Sequence, residues 1–145
     1  MKRVLINIMA ASALSSLITA CANAPTEQPP LEGEWILTHA ETAKQSITFE
    51  ELTPNYTLRV SLDGSINGLT ACNRWRSSYK VENNKLSIGA VAITKKRCHL
   101  ASDKLKLITR HFPNSLKTPA TIKLDHDTLT LSWSDSEYWQ LKAKD

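Results

Sequence analysis

The 145-residue sequence lacks a second long apolar run, and it lacks a large excess of charge of either sign. One extended apolar run lies near the N-terminus, over residues 4–18, and no later stretch reaches the roughly 20 apolar residues that a membrane-spanning helix needs. Lysine and arginine total 18 and aspartate and glutamate total 14, which gives a formal net charge of +4. This balance excludes a nucleic-acid-binding protein, which needs a strong basic excess.

The sequence also lacks the usual signatures of catalysis and of metal binding. Serines are plentiful, but none lies in a G-x-S-x-G nucleophile elbow. His111 falls on a predicted helix and His126 in a predicted hairpin tip, where histidines are usually plain surface residues. Asp125 and Asp127 flank His126, but carboxylates that alternate in a tight turn usually stabilise the turn itself. We therefore predict a protein that is not an enzyme and that binds neither a cofactor nor a metal.

The N-terminal region has the composition of a secretory signal. Residues 1–3 are positively charged at two positions, residues 4–18 are apolar and uncharged, and small residues precede Cys21. The tetrapeptide ITAC over residues 18–21 resembles a lipobox, at which bacteria lipidate the cysteine and cleave before it. We predict that residues 1–20 are a lipoprotein signal peptide and that Cys21 carries acyl chains. The alternative is an ordinary cleaved signal with a cysteine there by chance.

Lipidation would place the protein in the cell envelope. Several acyl chains hold a protein on a membrane almost permanently. Ala22 follows the cysteine where an aspartate would resemble an inner-membrane retention mark, so we expect the outer membrane, facing the periplasm. Residues 21–30 are polar and proline-rich and are expected to form a flexible tether, with a single domain over residues 31–145. Loss of Lys2 and Arg3 with the signal leaves 16 basic and 14 acidic residues, a net charge of +2.

The cysteine count predicts one disulfide. A lipidated Cys21 cannot form a disulfide, which leaves Cys72 and Cys98 as a pair in an oxidising compartment. Free thiols and a zinc site are the alternatives. No suitably spaced histidine completes a zinc site. His99 adjoins Cys98, but the side chains of adjacent residues rarely converge on one ion.

The pattern after residue 31 predicts mostly short antiparallel strands. In the segment 57–62 the apolar residues alternate strictly, so Leu58, Val60 and Leu62 are expected to face the core. Gly68 in the returning strand indicates a bulge or a close approach of a neighbouring backbone. The other predicted strands cover residues 31–37, 46–49, 78–81, 85–88, 91–94, 121–124, 128–133 and 137–141.

One helix is predicted after Cys98. Ser102 is a favourable N-cap, Leu105, Ile108 and Phe112 recur at helical spacing, and Pro113 ends the pattern. The expected fold is mainly β (α+β): a curved antiparallel or barrel-like sheet of about eight strands, with one helix covering an open side.

Several motifs in this pattern resemble those of the META domain family, the family of the heat-shock protein HslJ type. Residues 33–37 (GEWIL) are similar to its opening G-x-W-x-L. Residues 68–75 (GLTACNRW) and 94–98 (TKKRC) are similar to its central G-x-x-G-C-N-x-[aromatic] and T-x-x-x-C motifs, although Ala71 stands where the family usually has glycine. The segments SY at 78–79, LSI at 86–88, LTL at 129–131 and YWQL at 138–141 fit the remaining pattern. The resemblance implies an exported protein linked with heat stress, antibiotic sensitivity or virulence, and it implies no catalytic residue.

The most distinctive candidate binding residues are basic. Arg74 and Arg76 flank Trp75 just after Cys72, and the run Lys95, Lys96 and Arg97 directly precedes Cys98. A disulfide would bring both segments to one edge, together with an exposed or half-exposed tryptophan. Such a surface suits a protein partner or anionic lipid and polymer groups. The alternative is a solvated sheet edge, with Asn73 capping backbone groups beside the disulfide.

Three functional hypotheses follow from these observations. The first is a non-enzymatic envelope lipoprotein that supports stress tolerance or antibiotic resistance by binding a protein or an anionic surface. The second is an inhibitor of an envelope hydrolase, such as lysozyme, which needs a loop that plugs an active site. The third is a carrier of an apolar ligand inside the barrel. We favour the first, with the membrane as a partner through the lipid on Cys21.

Overall fold

A computed structural model describes residues 30–48, 56–100 and 102–144. The predicted signal peptide, Cys21 and residues 22–29 of the predicted tether lie outside these ranges. No helix in the described part of the chain is long and apolar enough to cross a membrane.

Ten strands, one α-helix and one short 3-10 helix make up the described fold. The strands are β1 (Gly33–Thr42), β2 (Gln45–Thr48), β3 (Tyr56–Val60), β4 (Ser65–Thr70), β5 (Asn73–Glu82), β6 (Lys85–Ile88), β7 (Ala92–Ile93), β8 (Ala120–Asp125), β9 (Thr128–Ser134) and β10 (Glu137–Ala143). Helix α1 spans Asp103–His111, and the 3-10 helix spans Asn114–Lys117.

Eight of the strands form a closed antiparallel barrel. Their order is β1-β3-β4-β5-β6-β8-β9-β10, and pairing of β10 with β1 closes the circle. The remaining strands, β2 and β7, pair with β1 and β5 respectively. The predicted mainly-β, barrel-like antiparallel fold with one helix is confirmed.

The predicted strands match the structure more closely in the second half of the chain than in the first. Strand β5 begins at Asn73, five residues before the predicted start at Ser78. Strand β2 begins one residue earlier than predicted, and Phe49 lies outside the described residues.

The predicted inward position of Leu62 is wrong: its side chain is 81% exposed. Strand β3 ends at Val60, and the backbone N–H of Gly64 donates to the carbonyl of Ser61, so Leu62 lies in the hairpin turn.

Gly68 lies where two backbones approach each other closely, one of the two arrangements predicted for it. It pairs with Leu58 of β3 on one side and with Trp75 of β5 on the other. A Cβ atom built on Gly68 would lie 1.9 Å from the backbone oxygen of Thr57. Any side chain at this position therefore requires strand β3 or β4 to move.

Helix α1 begins and ends as the sequence predicts, and it contributes to the barrel core. The side-chain oxygen of Ser102 accepts a hydrogen bond from the backbone N–H of Leu105, 3.2 Å away. Ile108 and Phe112 are buried. The Phe112 ring packs against the rings of Tyr56, Trp75 and Trp139, with centroid separations of 6.1, 5.9 and 5.0 Å.

A second contact ties the helix to β3. The Tyr56 hydroxyl lies 2.7 Å from the hydroxyl oxygen of Thr109. Burial raises the pKa of Tyr56 above its usual value, and the hydrogen bond to Thr109 offsets part of that increase. Tyr56 is therefore neutral at physiological pH and can donate this hydrogen bond.

Side chains fill the interior of the barrel. An eight-stranded barrel is just wide enough for its own side chains to fill the interior. Fully buried side chains from β3, β4, β6, β9 and β10 do so here: Leu58, Ile66, Leu86, Leu129, Leu131 and Leu141. They occupy the space that a ligand inside the barrel would need, so the carrier hypothesis gains no support from the fold.

Candidate functional site: the basic edge

The structure joins Cys72 and Cys98 in a disulfide, with 5.6 Å between the two Cα atoms. The two cysteines are 26 positions apart in the sequence. The link holds the loop 94–98, which carries three cations, against the start of β5. Ala71, directly before Cys72, has a φ of +53°, a left-handed conformation that glycine adopts most easily. This conformation accounts for a preference for glycine at the position.

The Asn73 side chain holds the same loop with hydrogen bonds from both ends of its amide. Its Oδ1 atom accepts from the Thr94 hydroxyl at 2.9 Å and from the Lys96 backbone N–H at 2.7 Å. Its Nδ2 atom donates to the Lys96 carbonyl at 3.1 Å. Asn73 is buried, so these bonds replace water that the amide would otherwise bind. The side chain therefore caps backbone groups beside the disulfide, as the alternative interpretation of the sequence expects.

Strand alternation separates the residues on either side of Trp75. Arg74 and Arg76 point outward and are exposed, whereas Trp75 points inward and is 2% exposed. The expectation of an exposed or half-exposed tryptophan is wrong. Because β5 begins at Asn73, the polar–apolar–polar order of residues 74–76 follows the two-residue period of a strand, and Trp75 packs against Phe112 in the core.

Five exposed cations remain along this side of the barrel, and we call them the basic edge: Arg74, Arg76, Lys95, Lys96 and Arg97. Within the described ranges, none of them forms an ion pair. The loop is held next to the arginines because the Thr94 backbone N–H donates to the Arg74 carbonyl, and the Arg74 N–H donates to the Thr94 hydroxyl, both at 3.0 Å. The structure thus brings the two predicted basic segments together.

A shallow depression of about 440 Å³ lies against the two arginines of the basic edge. Asn67 of β4 and Ile93 of β7 also line it. Ile93 is 41% exposed, which is unusual for so large an apolar side chain among the residues that the structure describes. Neither residue is among those predicted from the sequence. Ile93 belongs to the run 91–94, whose pattern indicates only a strand, and nothing in the local sequence marks Asn67.

The histidines and carboxylates outside the basic edge make local contacts. His39 lies 3.3 Å from Glu41 and stacks on Tyr138, and His126 lies 2.7 Å from Asp125 in an exposed turn. The Thr128 hydroxyl donates to Asp127 at 3.0 Å, and this bond is the main cause of the lowered pKa of that carboxyl. Across residues 30–48, 56–100 and 102–144, no group of three or more His, Cys, Asp and Glu side chains is placed to hold a metal ion.

Replacing Asn73 with alanine should lower the free energy of unfolding by about 2 kcal/mol, because the variant loses three hydrogen bonds between the buried Asn73 amide and the loop at Thr94 and Lys96. Chemical denaturation followed by circular dichroism measures the change. Asn114→Ala, at an exposed position, is the matched control and should change stability by less than about 0.5 kcal/mol. Equal stabilities for the two variants would show that Asn73 does not hold the loop.

Comparison with known proteins identifies both a family and a fold. The family model described as the META domain matches residues 27–145. No curated protein matches the chain significantly. Among solved structures, an NMR structure of a protein is 21% identical, covers 77% of this chain and 89% of its own chain, and has a TM-score of 0.57.

Two further structures share the fold. An NMR structure of a protein from Burkholderia xenovorans is 19% identical, with coverages of 78% and 82% and a TM-score of 0.62. A crystal structure of a duf4847 family protein from Bacteroides vulgatus is 12% identical, with coverages of 79% and 95% and a TM-score of 0.50. At these identities the likeness concerns the fold alone.

Proposed function

This chain belongs to the META domain family, and from that premise we propose that it is a non-enzymatic envelope lipoprotein that binds an anionic surface through the basic edge. In this proposal the lipid on Cys21 anchors the protein in the outer membrane, facing the periplasm. Binding by the folded domain then supports envelope integrity under stress or in the presence of antibiotics.

The proposal rests on the exposure of the five cations of the basic edge and on their lack of ion pairs among the described residues. The disulfide and Asn73 fix the loop that carries three of them. A group of cations held together without internal counter-charges produces a positive local potential, even in a protein whose net charge is small.

An anionic surface is favoured over a protein partner because the aromatic anchor is missing. Central tryptophan and tyrosine side chains supply much of the binding energy in protein interfaces. Trp75 is buried in the barrel core and cannot serve in this way. Arginine and lysine without such an anchor suit the phosphate groups of lipids or polymers, which they bind through charge and hydrogen bonds.

The predicted lipid anchor on Cys21 also favours an anionic surface over a protein partner. Nine residues, 22–30, separate Cys21 from the start of the predicted domain at Leu31, and a fully extended chain of that length spans at most about 30 Å. A tether this short keeps the domain close to the lipid surface. Each interaction between the basic edge and a membrane then occurs at a high effective concentration.

Vesicle binding tests the proposal. The chain from residue 22 onward, which omits the cysteine that carries the lipid, is mixed with vesicles of phosphatidylglycerol and phosphatidylcholine or of phosphatidylcholine alone. We expect binding to the anionic vesicles that weakens as salt is added. Serine at all five positions of the basic edge should weaken that binding by about 1,000-fold or more, since each cation contributes about 1 kcal/mol near an anionic surface.

The matched control removes the same charge from elsewhere on the protein. It replaces five other exposed cations with serine: Lys85, Lys104, Arg110, Lys117 and Lys123. We expect the control to bind nearly as well as the native chain. If the two variants lose affinity equally, only net charge matters and the basic edge is not a site. Failure of the native chain to distinguish the two kinds of vesicle would also overturn the proposal.

A further inference from the structure

A second cleft lies at one mouth of the barrel, and it shares no lining residue with the depression beside the basic edge. This mouth cleft has a volume of about 420 Å³. Its walls come from the turn between β1 and β2, from helix α1 and the segment after it, and from the β9–β10 hairpin. Barrel mouths are common ligand sites, and this volume is within the range of small-molecule pockets.

Two indole rings and a leucine give the mouth cleft an apolar floor. All three line the cleft; Trp133 and Leu107 are partly buried, and Trp139 is buried. The Trp133 Nε1 atom donates to the Thr118 carbonyl at 3.0 Å, and its ring contacts the Trp139 ring edge-to-face at a centroid distance of 4.7 Å. These contacts fix the orientation of Trp133 before any ligand arrives, which reduces the entropy lost on binding.

The rim of the mouth cleft offers hydrogen-bond donors and acceptors in near balance. Glu137 and Glu41 present carboxylates, and the Glu41 carboxylate also lies 3.3 Å from His39. Lys44 presents an ammonium group and His111 an imidazole. Ser115 and Thr118 add hydroxyl groups, which both donate and accept. An anionic ligand would meet two carboxylates, and a cationic ligand would meet the lysine. A neutral ligand rich in hydroxyl groups fits this rim better than either.

From this geometry we propose that the mouth cleft binds a neutral saccharide. A sugar ring has an apolar face of C–H groups that can stack on an indole, and its hydroxyls both donate and accept hydrogen bonds. Trp133 provides the stacking surface, and the carboxylates of Glu41 and Glu137 accept hydrogen bonds from sugar hydroxyls. This site is independent of the basic edge, so each can fail without the other.

Isothermal titration of the protein with triacetylchitotriose, a neutral oligosaccharide, tests the proposal. The chain is purified as the cell processes it, in a polyoxyethylene detergent that carries no sugar. We expect saturable binding. Trp133→Ala should weaken it about tenfold through loss of the stacking surface, whereas Trp133→Phe should keep most of it. Leu62→Ala, in the exposed β3–β4 turn, is the matched control and should bind like the native protein.

Thermal unfolding curves show whether each variant is folded. Two further ligands show which chemical groups the cleft recognises. Because Trp133→Ala also removes the contact with Trp139 and so lowers stability, Glu137→Gln at an exposed rim position provides a second variant. We expect it to weaken binding about threefold. Maltotriose, which has no acetamido groups, tests whether those groups contribute to binding. Absence of binding to both oligosaccharides, or binding unaffected by Trp133→Ala and Glu137→Gln, would overturn the proposal. Preferential binding of spermidine, a cation, would also overturn it.

Discussion

Gly68→Ala should destabilise the protein by about 3 kcal/mol, a large part of the total stability of an ordinary domain. The added Cβ would lie 1.9 Å from the Thr57 backbone oxygen, a separation that no rotation of a side chain can relieve. Strand β3 or β4 must shift, and the pairing of Gly68 with Leu58 on one side and Trp75 on the other would be strained. Urea denaturation of the native chain and the variant measures the difference in unfolding free energy.

Gly89→Ala is the matched control for this prediction. A Cβ atom at Gly89 would meet the Ser78 hydroxyl oxygen at 2.8 Å, but that oxygen lies at the end of a side chain that can rotate away. We expect a loss of less than about 1 kcal/mol for the control. Similar losses for the two variants would show that the close approach of β3 and β4 at Gly68 is not what requires glycine there.

Removal of the disulfide should have the second large effect. Replacing both Cys72 and Cys98 with serine releases a link between residues 26 positions apart, and the chain-entropy relation gives a loss of about 3.5 kcal/mol. The loop 94–98 then relies on Asn73 and Thr94 for its position. We therefore also expect weaker binding of the double variant to anionic vesicles.

Reduction of the native protein serves as the control, since it breaks the same bond without changing the sequence. Denaturation midpoints of the reduced native chain and of the double variant should agree. A loss of less than about 1 kcal/mol for both would mean that the disulfide does not constrain the unfolded chain as the entropy relation requires.

Local patterns in the sequence predicted the parts of the fold that depend on neighbouring residues. The cap at Ser102 and the spacing of Ile108 and Phe112 located helix α1 almost to the residue. Apolar alternation gave the wrong prediction for Leu62. The alternation continues through residues 58–62, although the strand ends at Val60. Alternation cannot tell the last residue of a strand from the first residue of a turn.

The candidate site was predictable in part. Proximity of the two basic segments follows from pairing Cys72 with Cys98, so the charges of the basic edge were predictable from sequence. The orientation of Trp75 was predictable in principle, because residues 74–76 have the period of a strand. The predicted start of β5 at Ser78 places Trp75 in a loop, where alternation does not predict whether a side chain points inward. The strand begins at Asn73 instead.

Local sequence patterns could not predict the mouth cleft. Its floor and rim combine Lys44, Leu107 and Trp133, which are far apart in the sequence. They meet because β10 pairs with β1 and closes the barrel, and because helix α1 contributes Leu107 to the same cleft. Closure of this kind depends on the whole topology, which no single motif in the chain specifies.

In-cell cross-linking from the basic edge tests the central claim most directly. The native chain and the variant with serine at all five positions of the basic edge are each captured from living cells, after their thermal unfolding curves are shown to agree. The account predicts that the native chain is cross-linked to an anionic lipid or envelope polymer and that the variant loses this product. Identical captures from the two chains would contradict the account, because the basic edge would then be solvated surface only.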